Sequence, residues 1–128
     1  MKYSESIEMY LETILLEEER HGHAHVAEIA ELLDVKMPSV TKAMDQLKNN
    51  GLIDKETYGT ITLTEKGRAV AHRVYHSHQI LIRFLEKTLH LSPAEAAENA
   101  CRIEHVATEE LLAAVERYLA ESEKNTES

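Results

Sequence analysis

Three side chains that can bind a transition metal recur at i, i+3 and i+4 in the stretch Cys101-Arg-Ile-Glu104-His105. On a helix these positions share one face, so a thiolate, a carboxylate and an imidazole would project together. Such a trio makes most of a site for a first-row divalent cation, provided another segment supplies the remaining ligands. Standing alone, the triplet has a plain alternative: a buried structural cysteine beside a Glu and a His that share its face by chance. Other histidines offer less. His21, His23 and His25 alternate in a loop and read as solvated, with adventitious metal binding open to them, and His72 and His76 share a face on which nothing else converges.

The elements that must position this chemistry belong to a chain of 128 residues. That length suits one domain, or a small domain with a helical extension, and can bury a core without disulfides. A single Cys rules out an intramolecular disulfide. The amino terminus, Met1-Lys-Tyr-Ser-Glu-Ser-Ile-Glu8, is too polar for a signal peptide, and no apolar run is long enough to span a bilayer. A cytoplasmic protein with a reduced thiol and no membrane partner is expected. The net charge of -9 argues against a diffusely basic nucleic-acid binder but not against a local basic patch. With 5% aromatic residues and no Trp, the core must rest on Leu, Ile, Val, Ala and Met, which suits packed helices.

Taken in order, Ser4 or Ser6 caps a first helix with Ile7, Tyr10, Leu11, Ile14 and Leu15 on its apolar face, running to His21 and stopped by Gly22. Val26 to Leu33 is a short amphipathic helix, Asp34-Val35-Lys36 a turn, and a third helix starts near Pro38 and ends at Asn49-Asn50-Gly51. Leu52–Glu56 and Thr60–Thr64 flank Thr57-Tyr58-Gly59 as a hairpin. Thr64 caps a long helix reaching about Leu89. Ser92-Pro93-Ala94-Glu95 opens the helix that carries Cys101, expected to extend to Val106, and Thr108-Glu-Glu opens a last amphipathic helix. The tail from Ser122 to Ser128 reads as polar and frayed.

Two short helices joined by a tight turn, with small Ala30 where they cross, form a helix-turn-helix, and the hairpin makes it a winged helix. The fold class is therefore mainly α. An N-terminal winged helix-turn-helix with a two-stranded wing, residues 1–70, is followed by a helical domain, residues 71–128, that carries the Cys101 triplet. Ser39, Thr41 and Lys42 beside Pro38 suit base edges and phosphates of double-stranded DNA. Lys36, Lys48 and Lys55 suit phosphate oxygens, and Tyr58 sits at the tip of the wing. The plain alternative is a three-helix fold with a solvated lysine face.

With both halves read, the chain resembles the diphtheria toxin repressor family of metal-dependent regulators, including its shorter manganese-transport-regulator branch. The resemblance rests on Glu8-Met9-Tyr10-Leu11-Glu12, Pro38-Ser39-Val40-Thr41-Lys42, Leu63-Thr64-Glu65-Lys66-Gly67, His78 and Ile103-Glu104-His105. It spans residues 1 to about 120, leaving no room for the SH3-like domain of iron-responsive members, so a short form is expected. By position it implies a principal metal site of Met9, Cys101, Glu104 and His105. Met9 alone would read as core filling; with Cys101 it is a second soft donor. An accessory site of Glu12 and His78, bridged by Glu104, is also implied, although His78 reads equally as an ordinary histidine. Ile82 and Ala97 stand where the iron branch usually carries ancillary ligands. The manganese branch has carboxylates in place of Met9 and Cys101, and softer ligands point to iron(II), with manganese(II) as the alternative.

The function implied is a homodimeric, metal-responsive transcriptional repressor of metal-ion uptake on a palindromic operator. The dimer interface is expected on the Pro93–Val106 helix and parts of its neighbours. A winged-helix regulator that senses an organic ligand, with Met9 and Cys101 as core, is the rival. An enzyme is not expected, because Cys101 and His105 are one turn apart and four Gly in all leave little for a catalytic loop.

Overall fold

The computed structural model describes residues 3–56 and 59–127, with side chains as far as residue 124. Among the described residues six helices and three short strands follow in order: α1 (Glu5–His21), β1 (Ala24–His25), α2 (Val26–Leu33), α3 (Met37–Asn49), β2 (Ile53–Lys55), β3 (Thr60–Leu63), α4 (Glu65–Leu89), α5 (Pro93–Glu104) and α6 (Glu109–Glu127). They form two compact units, Met1–Arg73 and Val74–Ser128, so that α4 contributes to both. Among the described residues no helix is long and apolar enough to cross a membrane.

In the first unit the helix ends follow local chemistry. Ser4, rather than Ser6, caps α1 by accepting from the Ile7 amide at 3.3 Å. Gly22 closes α1 with φ +82°, a left-handed conformation that costs glycine nothing. Pro38 falls in the first turn of α3, where a missing N–H leaves no bond unmade. Leu11, Ile14 and Leu15 of α1, Ile29 of α2, and Val40, Met44 and Leu47 of α3 are all but fully buried. The helix-turn-helix pair is thus held by one aliphatic core. Ala30, the small residue at the crossing, is buried as well.

The sheet has three antiparallel strands in the order β1-β3-β2, where the sequence gives reason for two. Ala24 pairs with Ile61 and His25 with Thr60. A two-residue strand has no periodicity to read, so its pairing comes from tertiary contact alone. Ile53 and Leu63, Asp54 and Thr62, and Lys55 and Ile61 set the register of the wing, which keeps Ile53, Ile61 and Leu63 buried. Tyr58 and Thr57 lie outside the described residues.

The end of α3 is fastened to the start of α4. The Leu52 amide donates to the Leu47 carbonyl at 2.9 Å, and the Thr64 amide to the Leu52 carbonyl at 3.1 Å. Thr64 Oγ1 donates to the Gly51 carbonyl at 2.7 Å and accepts from the Gly67 amide at 3.0 Å. Glu18 of α1 ties the same region. Its carboxylate accepts from the Leu63 amide at 3.2 Å and pairs with Arg68.

In the second unit Ile80, Leu81 and Leu85 of α4 pack with Ala96 and Ala100 of α5 and Val115 and Leu119 of α6. The two alanines make the narrow surface that lets α5 approach closely. Ser92 caps α5 by accepting from the Glu95 amide at 3.2 Å, with Pro93 as the first helical residue. The helix ends at Glu104, two residues short of the expected Val106, and Thr108 Oγ1 then accepts from the Leu111 amide at 3.1 Å to start α6. The polar segment after Ser122, expected to fray, continues α6 to Glu127.

Gly67 is where close approach forbids a side chain. A Cβ there would land on the Leu52 carbonyl, overlapping its oxygen and lying 2.8 Å from its carbon. Gly67→Ala is expected to lower stability by about 1–3 kcal/mol through overpacking, read as a lower urea midpoint with an unchanged slope.

Candidate metal centre

Cys101, Glu104 and His105 lie on the last turns of α5 and at its C-cap, and the local helix brings their donor atoms within 4.8 Å of one another. Glu104 and His105 are buried, with side chains 1% exposed, while Cys101 is half-buried. The Glu104 carboxylate lies between two imidazoles: Oε1 is 3.1 Å from His105 Nε2, and Oε2 is 3.0 Å from His78 Nδ1 on α4. The second contact is a hydrogen bond; the first lacks the geometry of one, and among the described residues Oε1 has no hydrogen-bond partner.

A buried carboxylate oxygen without a hydrogen bond is costly unless positive charge meets it. A divalent cation held by the Cys101 thiolate, the Glu104 carboxylate and the His105 imidazole would meet that need, and the sulfur, oxygen and nitrogen set suits the later first-row metals. The residues therefore fit a divalent cation. His78, which the sequence alone leaves equally open as a ligand or an ordinary histidine, lies against the Glu104 carboxylate and is 18% exposed at its side chain. Twenty-six residues separate the two, so no sequence spacing announces the contact.

On α1, Met9 and Glu12 are both half-buried and one turn apart, hence on one helical face. Ile82 is half-buried against the core of the second unit, and Ala97 is half-buried on α5.

The DNA-facing candidates are mostly solvent-exposed. Lys36, the N-cap of α3, and Pro38, Ser39, Thr41, Lys42 and Lys48 along it are exposed. Among the described residues none of these three lysines takes part in an ion pair. Lys55 differs, pairing with Asp45 at 3.5 Å with its side chain 22% exposed. Sequence reading passes over a second cluster of donors. Glu17, on α1, is a buried carboxylate within 4.8 Å of His21 and Glu28 by their donor atoms. The i, i+4 spacing of Glu17 and His21 is a readable signal, whereas Glu28 joins them only in the fold.

The comparisons with known proteins cover both units. Residues 2–61 match the model of the iron dependent repressor N-terminal DNA binding domain, and residues 64–127 that of the iron dependent repressor metal binding and dimerisation domain. The chain is 38% identical over 110 residues to an uncharacterized HTH-type transcriptional regulator, MJ0568, of Methanocaldococcus jannaschii, covering 85% of this chain and 88% of that one. It is 36% identical over 107 residues to the iron-dependent repressor IdeR of Mycobacterium tuberculosis, covering 84% of this chain and 46% of that protein. Among solved structures, the manganese regulator SloR superposes with a TM-score of 0.79 at 27% identity, over 94% of this chain and 55% of that one. The chain thus spans about half the length of those last two proteins. With matches to both of its domains in order along the chain, this protein belongs to the iron dependent repressor family, the family of the diphtheria toxin repressor.

Proposed function

We propose that this protein is a cytoplasmic, homodimeric transcriptional repressor of metal-ion uptake that binds a palindromic operator when loaded with iron(II). The observation that carries the reading is the buried Glu104 carboxylate, with Cys101 and His105 beside it and one oxygen lacking a hydrogen bond. Membership of the family supplies the repressor class, and IdeR, an iron-dependent repressor, is among its relatives.

In this reading Cys101, Glu104 and His105 hold the cation, and Met9 from α1 supplies a second sulfur. A bound divalent cation supplies positive charge to a buried anionic donor set and a bond between segments far apart in sequence. Cys101 must give up its proton to act as a donor, and His105 must present an unprotonated nitrogen, so loading weakens as pH falls. Glu12 and His78 form the accessory pair, with Glu104 between the two sets. On the DNA side, α3 is the recognition helix. Ser39 and Thr41 face base edges; Lys36, Lys42 and Lys48 meet phosphates; and Pro38 fixes the first turn. Metal and operator then share one coupling free energy, of the order of 1–3 kcal/mol, so each strengthens the binding of the other.

Manganese(II) is the second reading, favoured by the His78–Glu104 contact, an oxygen and nitrogen pair of the harder kind. SloR, a manganese regulator, shares the fold. An anaerobic titration of operator affinity, followed by fluorescence anisotropy, separates the two: iron(II) is expected to act at lower free concentration than manganese(II). The reverse order would establish the manganese reading.

Two substitutions test the parts separately. Cys101→Ala is expected to abolish the metal-dependent gain in operator affinity, about 5–150-fold by the coupling above, and to leave the metal-free protein as it was. If operator binding responds neither to chelator nor to Cys101→Ala, the metal-sensing reading fails. Lys42→Ala is expected to weaken binding to all DNA sequences alike and to reduce the salt slope by about 0.9. Thr41→Ala is expected to cost about 1–3 kcal/mol of discrimination against a wrong base pair, seen by comparing operator with scrambled duplex.

A further inference from the structure

The end of α1 and the start of α2 bring together a second group of donors, separate from the α5 centre. Glu17 Oε2 stands 3.7 Å from His21 Nε2, and the Glu17, His21 and Glu28 donor atoms all lie within 4.8 Å of one another. Glu17 is 5% exposed. Among the described residues its charge is met only by His21 and by Arg20 Nη1 at 3.8 Å, both beyond hydrogen-bond distance and both on side chains more than half exposed. A carboxylate so deeply buried, with no hydrogen bond among the described residues, has its charge met only at the edge of ion-pair range.

We propose that Glu17, His21 and Glu28 bind a divalent cation of the zinc class, bracing α2 against the end of α1. Two carboxylates and one imidazole suit such a cation. Metal–oxygen and metal–nitrogen bonds of about 2.1 Å place donors roughly 3–4 Å apart, a closure that side-chain rotation achieves from the present spacing. The carboxy-terminal end of α1 carries the negative pole of the helix dipole, which favours a cation there. His21 is 58% exposed at its side chain, so the outer face of the site is open to water, which completes the coordination. His21 belongs to the alternating trio that reads from sequence as solvated. His23 and His25 instead pack edge-to-face against each other, 4.6 Å between centroids, and stand apart from the donor group.

The test uses the reduced full chain carrying His78→Ala, Cys101→Ser and His105→Ala, which removes donors from both the principal and the accessory set, titrated with zinc(II) by calorimetry. One equivalent of zinc is expected to bind and to raise the melting temperature, and both effects are expected to be lost when His21→Ala or Glu28→Gln is added. No zinc bound in that triple-substituted background overturns the proposal. So does zinc that persists after His21→Ala and Glu28→Gln, since it would then be held elsewhere, as by His23 and His25. Should the background variant fail to fold, the unmodified chain gives the same answer: His21→Ala alone is expected to lower its zinc stoichiometry by one, and an unchanged stoichiometry overturns the site. The result is independent of the repressor reading. If α5 binds no metal, the α5 substitutions leave the stoichiometry unchanged while His21→Ala still removes one equivalent.

Discussion

A carboxylate cannot be taken out of water without something to hold its charge, and Glu104 is the residue on which that constraint falls hardest. It is set between the His78 and His105 imidazoles, beside a cysteine, at the end of a helix whose same buried face carries Ala96 and Ala100. Those alanines let α5 pack tightly against α4 and α6, and tight packing is what denies the carboxylate its water. Close helix packing and the burial of the Glu104 carboxylate are therefore one arrangement seen from two sides. Replacing the small residues by larger ones would loosen the packing that keeps water from that carboxylate.

Much of this was legible in the sequence because helix ends are written in local chemistry. Ser4, Gly22, Pro38, Thr64, Ser92-Pro93 and Thr108 mark starts and stops that the fold keeps, and the period of the apolar residues assigns the buried faces. The Cys101, Glu104 and His105 face was legible for the same reason, since three positions on one helix need no tertiary information. What was not legible depends on contacts between distant segments. β1 is two residues long and exists through pairing with β3; Glu104 meets His78 across twenty-six positions. Glu28 joins Glu17 and His21 from another helix. The tail after Ser122 is polar enough to read as frayed, yet it continues a helix already nucleated by Leu112, Val115 and Leu119, and propagation is far easier than initiation.

The two units carry different kinds of charge. Along α3, Lys36, Lys42 and Lys48 stand exposed without ion pairs among the described residues, in a chain whose net charge is -9. In the second unit Arg83 pairs with Glu123, His76 with Glu116 and Arg102 with Glu98. A chain acidic overall thus presents three lysines without ion pairs, among the described residues, along the helix that reads as the DNA-facing one. The remaining surface is left to repel a polyanion, which favours approach in one orientation over others.

The fastening of α3 to α4 through Gly51, Leu52, Thr64 and Gly67 limits how the recognition helix can be steered. Four short hydrogen bonds and a glycine with no room for a methyl group make the carboxy-terminal end of α3 and the amino-terminal end of α4 one rigid joint. The opposite end of α3 begins at a turn where Asp34 takes a left-handed conformation, φ +53°. Any re-aiming of α3 that spares its core must pivot about the Thr64 joint, with the compliance at Asp34-Val35-Lys36. Ser39, Thr41 and Lys42, toward the amino end of α3, are then the residues that swing furthest.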